Sequence, residues 1–145
     1  MKKKIFALAM VAILLSCSQS STLEMRNRYF YGGEVVSLPN LQYDSDGSEP
    51  DLRIDLKRKS ANFWEFSTLV RNNARRLPLF TSFPSEVLAT DEVYEVRLMD
   101  EDLGELSDDE IFYWEFQAIE DGANGVIEFF DDQNTLRMTL EYEER

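Results

Sequence analysis

The chain has 145 residues, with 28 acidic and 15 basic side chains, no histidine, one cysteine and a formal net charge of −13. So acidic a surface argues against nucleic acid, whose binding needs clustered cations, and against direct adsorption to anionic lipid without a bridging cation. Without histidine, Ser-His and Cys-His nucleophile activation, the usual zinc sites and the commonest general base are absent, so no enzyme is expected.

In chain order, Lys2, Lys3 and Lys4 form a basic start, and Ile5–Leu15 is an unbroken apolar run. That run is too short to span a bilayer as a mature helix but suits the core of a signal peptide. It ends in Leu14-Leu15-Ser16-Cys17, which resembles a bacterial lipobox. The resemblance implies removal of residues 1–16 and acylation of Cys17, so that the membrane is reached through lipid on that residue. Residues 17–27 then read as the lipidated cysteine and a polar tether, and 28–145 as one domain. Loss of the three lysines makes the mature chain more negative still. The lone cysteine excludes an intrachain disulfide.

The domain is a succession of short alternating runs divided by turn residues, which predicts an all-β, eight-stranded antiparallel sandwich. Arg28–Val36 is the first run, with a Gly32-Gly33 break. Asp51–Lys57 alternates Leu52, Ile54 and Leu56 against charge. Phe63–Val70 is expected to place Trp64, Phe66, Thr68 and Val70 on one face. Leu79–Val87 contains Pro84, a mark of an edge or bulge. Glu92–Met99 alternates Tyr94, Val96 and Leu98, and Ile111–Ile119 follows. A hairpin pairs Val126–Phe130 with Thr135–Tyr142 across Asp131-Asp132-Gln133-Asn134, where the acids read as turn residues. Lys57, Arg58 and Lys59 read as a solvated basic turn, with Arg75 and Arg76 farther along.

Two acidic segments stand at strand ends: Tyr43–Asp51, before the Asp51–Lys57 strand, and Asp100–Glu110, after the Glu92–Met99 strand. Calcium takes six to eight oxygen ligands in a tolerant geometry, and carboxylates supply most of them. Strand alternation lets Asp100 and Asp102 converge while Glu101 points away. Gathered carboxylates repel one another unless a cation neutralises them, so a divalent ion would link two loops that otherwise push apart.

At these segments the sequence resembles a C2 domain, a sandwich that often binds calcium at one end. The resemblance runs from about Leu38 to Phe112. Asp44, Gly47, Ser48, Glu49 and Pro50 follow the family's first loop; Leu77, Pro78, Phe80 and Phe83 follow its Asn-Pro-x-Trp motif; Asp100, Asp102 and Asp108 or Asp109 follow its Asp-x-Asp loop. It implies a calcium site drawn from Asp44, Glu49, Asp100, Asp102 and Asp109, with Asp46 able to replace Asp44. The departures are Glu49 for the usual aspartate, Asp51 where an aromatic is common, and a Leu103–Leu106 tip that is not basic. The expectation is a lipid-anchored binding module of the cell envelope, an outer-membrane lipoprotein. Calcium would bridge it to an anionic lipid, glycan or protein. The alternative is a calcium-independent structural or interaction lipoprotein on a degenerate fold of the same kind.

Overall fold

Alternation of apolar and polar residues takes one face of each strand out of water, and two such faces close on one another. The computed structural model describes residues 27–39, 47–101, 109–118 and 125–145. Within them lie β1 (Arg28–Ser37), β2 (Leu52–Arg58), β3 (Phe66–Ser67), β4 (Leu79–Ala89), β5 (Val93–Asp100), β6 (Asp109–Gln117), β7 (Val126–Phe130) and β8 (Arg137–Glu144). They form two four-stranded antiparallel sheets, ordered β4-β1-β8-β7 and β3-β2-β5-β6. The expected eight-stranded sandwich is what forms.

The core lies between the sheets. Leu52, Ile54 and Leu56 of β2 and Tyr94, Val96 and Leu98 of β5 face Phe30 and Val35 of β1 and Met138, Leu140 and Tyr142 of β8, all buried. Phe30 meets Tyr94, Phe116 and Tyr142 edge to face, with centroids 6.1, 6.1 and 6.4 Å away. Such pairs add a specific geometry to the burial of apolar area.

Local details depart from the periodic reading. Gly32-Gly33 does not break β1; the strand continues through a register shift beside both partners. The bulge changes the phase of alternation, so that Phe30 and Val35, even and odd, both point inward. Glycine is required there by proximity, since a Cβ on Gly33 would sit 2.5 Å from the Thr139 carbonyl oxygen and 2.8 Å from Ile54 Cδ1. Pro84 lies where β4, an edge strand, bulges away from β1 between Ser82 and Val87.

The long strand expected over Phe63–Val70 shrinks to Phe66–Ser67. Its one-face expectation fails because Trp64 is drawn to the outer face, with the Arg97 guanidinium 4.2 Å and the Lys57 ammonium 5.3 Å from its ring centre. Phe66 packs against the core instead, and buried Thr68 accepts a hydrogen bond from Ile54 N at 2.9 Å. Lys57 and Arg58 belong to β2 rather than to a turn.

Candidate functional site

The ladder between β2 and β5 decides where the acidic segments begin. Leu52 is opposite Asp100, so the first residue of β2 and the last of β5 share one end of the sandwich. Across β5, Asp100 is also opposite Asp109, the first residue of β6. The approach of β6 carries a register shift between Leu98 and Met99. A bulge of that kind re-aims the residues that follow it. The roots of the two acidic segments therefore adjoin.

Hydrogen bonds fasten the roots together. The Asp51 N–H donates to Asp100 Oδ1 at 2.7 Å, and the Glu101 N–H donates to the Asp51 carbonyl at 2.8 Å. Asp100 is fully buried, an expensive place for a carboxylate unless it is well partnered. Glu101 Oε2 lies 3.0 Å from Arg53 Nη1, and the Arg53 Nε–H donates to buried Asp55 Oδ1 at 2.9 Å. From the other side the Arg97 Nε–H donates to Asp55 Oδ2 at 2.9 Å. A charged ladder thus runs along the outer face of this sheet to the base of the second acidic segment.

A third segment, unforeseen from the sequence, joins the same end. Arg71 exchanges backbone hydrogen bonds with Leu52 at 2.9 and 3.0 Å, and the Ala74 N–H donates to the Pro50 carbonyl at 2.9 Å. Asp51 Oδ1 accepts the Asn73 N–H at 2.6 Å, with Asn73 in the left-handed region at φ 51°. Asp51 is therefore the residue that sequence reasoning passed over. It joins the first segment to Asp100 through its backbone and to the third through its carboxylate. The signal available was the Asn72-Asn73 pair, because asparagine tolerates the left-handed conformation that a tight connection needs.

Of the five expected metal ligands, Asp100 and Asp109 are brought opposite each other. Glu49 is exposed two residues before Asp51, after a turn in which Gly47 takes φ 80°. Asp44 and Asp102 lie outside the described residues, as do the alternatives Asp46 and Asp108 and the lipidation residue Cys17. Among the described residues no three acids converge in a metal-holding group. The donors at the segment roots are hard carboxylate oxygens, which suit calcium. The described ones fall short of a coordination shell.

The remaining acids and bases have other duties. Asp131 closes the β7–β8 turn: its Oδ1 accepts the Leu136 N–H at 2.9 Å and its Oδ2 the Thr135 hydroxyl at 2.6 Å. The Thr135 bond first, then that from Leu136, holds its carboxyl below the usual carboxylate range. Each member of the basic run is matched by an acid: Lys57 by Glu95 at 2.6 Å, Arg58 by Glu65, and Lys59 by Glu115 at 2.6 Å. The bond to Glu115 raises the Lys59 ammonium pKa, and the bond from Arg58 lowers that of Glu65. A run so neutralised has little field left to attract an anion.

Known structures share this architecture. The human GIVD cytosolic phospholipase A2 in complex with methyl gamma-linolenyl fluorophosphonate inhibitor and terbium chloride superposes with a TM-score of 0.50 at 19% identity, covering 81% of this chain and 18% of that one. The same human enzyme with the fluorophosphonate alone gives 0.51 at 18% identity, covering 81% and 17%. A structure described as that of a C2 domain gives 0.50 at 18% identity, covering 82% of this chain and 97% of the other. The chain thus spans under a fifth of the phospholipase and nearly all of the isolated domain. No family model matches the sequence, and no curated protein matches it. At these identities the likeness shows the fold, a C2-like β-sandwich, as the resemblance in the acidic segments implies.

Proposed function

We propose that this protein is a binding module rather than an enzyme: a C2-like sandwich, held in the bacterial cell envelope by acylated Cys17, that takes up calcium between its acidic segments. The observation that carries the calcium reading is the junction of Asp51, Asp100 and Asp109, where the roots of both acidic segments adjoin at one end of the sandwich. Asp100 and Asp109 would be ligands from the described residues, with Asp44, Asp102 and Glu49 completing the set. The terbium chloride in one of the similar structures gives chemical support, since terbium, like calcium, is a hard cation that prefers oxygen ligands. The ion would order the loops and bridge them to an anionic lipid, glycan or protein. The lipobox-like Leu14–Cys17 carries the membrane anchor, and Ser18 behind it favours an outer-membrane destination.

One observation favours a second reading, a calcium-independent interaction lipoprotein. Asp100 is fully buried and already holds the Asp51 N–H, Glu49 is exposed, and among the described residues no three acids form a group that could hold a metal ion. On this reading the carboxylate serves only to join the segments.

Calcium titration separates the two. The full chain in nonionic detergent is heated at increasing calcium, with magnesium as control. A site filled at one hundred times its dissociation constant adds about 2.7 kcal/mol. For a domain of this size that raises the midpoint by roughly 8–14 °C. An unmoved midpoint at millimolar calcium, in a folded chain, removes the calcium reading and leaves the second.

A further inference from the structure

Each sheet leaves one strand open on the same side of the sandwich. β6 ends the order β3-β2-β5-β6 and β7 ends the order β4-β1-β8-β7, and the two border shallow concavities of about 400 and 420 Å³. Trp114 and Phe130 line both concavities, so these adjoin as one groove. The first is lined by the consecutive residues Trp114–Phe116 of β6 and Ile127–Phe130 of β7. Neighbouring residues of a strand point to opposite faces, so an unbroken run beside one space marks the strand's edge. Such an edge presents backbone N–H and C=O groups without ladder partners. Among the described residues neither β6 nor β7 has a second partner strand.

The aromatic floor of the groove is fixed by the fold. Half-buried Trp114 has its ring centre 3.9 Å from that of Phe112 and 5.3 Å from that of Phe129, and Phe129 meets Phe116 edge to face at 5.2 Å. Phe116 and Phe129 belong to the core, whereas Phe130 stands 60% exposed between the two concavities. Around this floor the charge has one sign. Glu115 is matched by Lys59, but Glu128, Asp131 and Asp132 meet no base among the described residues. Asp131 is held in place by the Thr135 hydroxyl and the Leu136 N–H, neutral donors that leave its charge uncompensated. No basic residue lines the groove, and Arg137, opposite Phe130 on β8, stands outside the lining. The other tryptophan makes the contrast: Trp64 carries Arg97 and Lys57 over its ring, and no described cation stands over Trp114.

We infer that this groove takes an extended peptide segment of another protein, bearing lysine or arginine at alternate positions and laid along the open edge of β7. Strand addition supplies main-chain hydrogen bonds, and alternate side chains of the added strand turn to the same side. There each cation finds an aromatic face for its charge and stem, with a carboxylate in the same groove. A second copy of this chain, also at −13, would set carboxylates against carboxylates. None of the expected calcium ligands lines the groove, so the inference stands whether or not the acidic segments take up calcium.

The test uses the full chain in nonionic detergent with a chelator present, which separates failure of this site from failure of the calcium reading. The probe is the blocked peptide Thr-Lys-Val-Lys-Thr-Lys-Val-Lys, titrated by calorimetry at physiological ionic strength. Its counterpart with glutamate for lysine, spermine and chitotetraose are titrated alongside. Saturable binding of the lysine peptide is expected, at least about tenfold tighter than that of any comparison probe. Phe130→Ser, at an exposed position that leaves the core intact, should weaken it at least about tenfold, as should Glu128→Gln/Asp132→Asn. Phe63→Ser, also exposed, and Glu86→Gln/Glu143→Gln, an equal change of charge away from the groove, should bind as the parent does. Absence of saturable peptide binding, an equal affinity for spermine, a preference for chitotetraose, or equal losses in the two charge variants overturns the assignment. So does unchanged binding in Phe130→Ser.

Discussion

Replacing Asp55 by alanine removes the carboxylate on which the outer face of the β3-β2-β5-β6 sheet is organised. Its side chain is 1% exposed, and it accepts from Arg53 Nε at 2.9 Å and from Arg97 Nε and Nη2 at 2.9 Å. Removing one partner of a buried ion pair typically costs about 3–5 kcal/mol, because the other charge remains desolvated. Here Arg53 and Arg97 keep 16% and 21% exposure, Arg53 keeps Glu101, and Arg97 keeps the face of Trp64. These residual partners place the loss at the lower end, about 3 kcal/mol, a large part of the stability of a domain this size. Urea unfolding followed by tryptophan fluorescence should show a lower midpoint with an unchanged slope, the signature of altered stability alone. Lys59→Gln, which breaks only an exposed pair, serves as the comparison. A loss below about 1 kcal/mol, the range of exposed pairs, would refute the account of Asp55 as a buried junction.

Gly33→Ala should destabilise by about 1–3 kcal/mol or more, because its Cβ meets backbone at 2.5 Å and the core at 2.8 Å; a neutral thermal shift would show that β1 and β8 can separate at no cost. For Asp131 the folded carboxyl titrates below its unfolded value, so its stabilisation is complete above the usual aspartate range and fades as pH falls through the lower folded value. The melting-point difference between the parent and Asp131→Asn should therefore narrow on acidification, and a gap that widens instead contradicts the turn's hydrogen bonding. Asp102→Asn with Asp109→Asn should abolish calcium-induced stabilisation and leave the calcium-free domain equally or more stable; an intact calcium response in that variant would discard those ligands.

Much of the architecture was legible because strand alternation is a local property. Leu52, Ile54 and Leu56 must share a face once β2 is extended, and Tyr94, Val96 and Leu98 likewise on β5. Pro84 could be read as an edge or bulge because it lacks the N–H that a central ladder requires. The β7–β8 turn was similarly local, since aspartate and asparagine bond to their own backbone. The two acidic segments were visible as composition.

Tertiary structure alone decided what those segments meet. Whether Asp100 faces Asp109 or Asp51 depends on register across β2, β5 and β6, and a shift of one residue would turn every side chain to the opposite face. The phase change at Gly32-Gly33 was hidden for the same reason, since a bulge exists only in relation to a partner strand. Trp64 left its expected face because Arg97, thirty-three residues away, offered a cation above its ring. The segment Arg71–Arg76 acquired its place only when Leu52 and Asp51 supplied its hydrogen bonds. Chain-local chemistry determined the strands, their faces and their turns. The pairing of distant backbone donors and acceptors determined which charges became neighbours, because Coulomb energy depends on distance in space and not on separation along the chain.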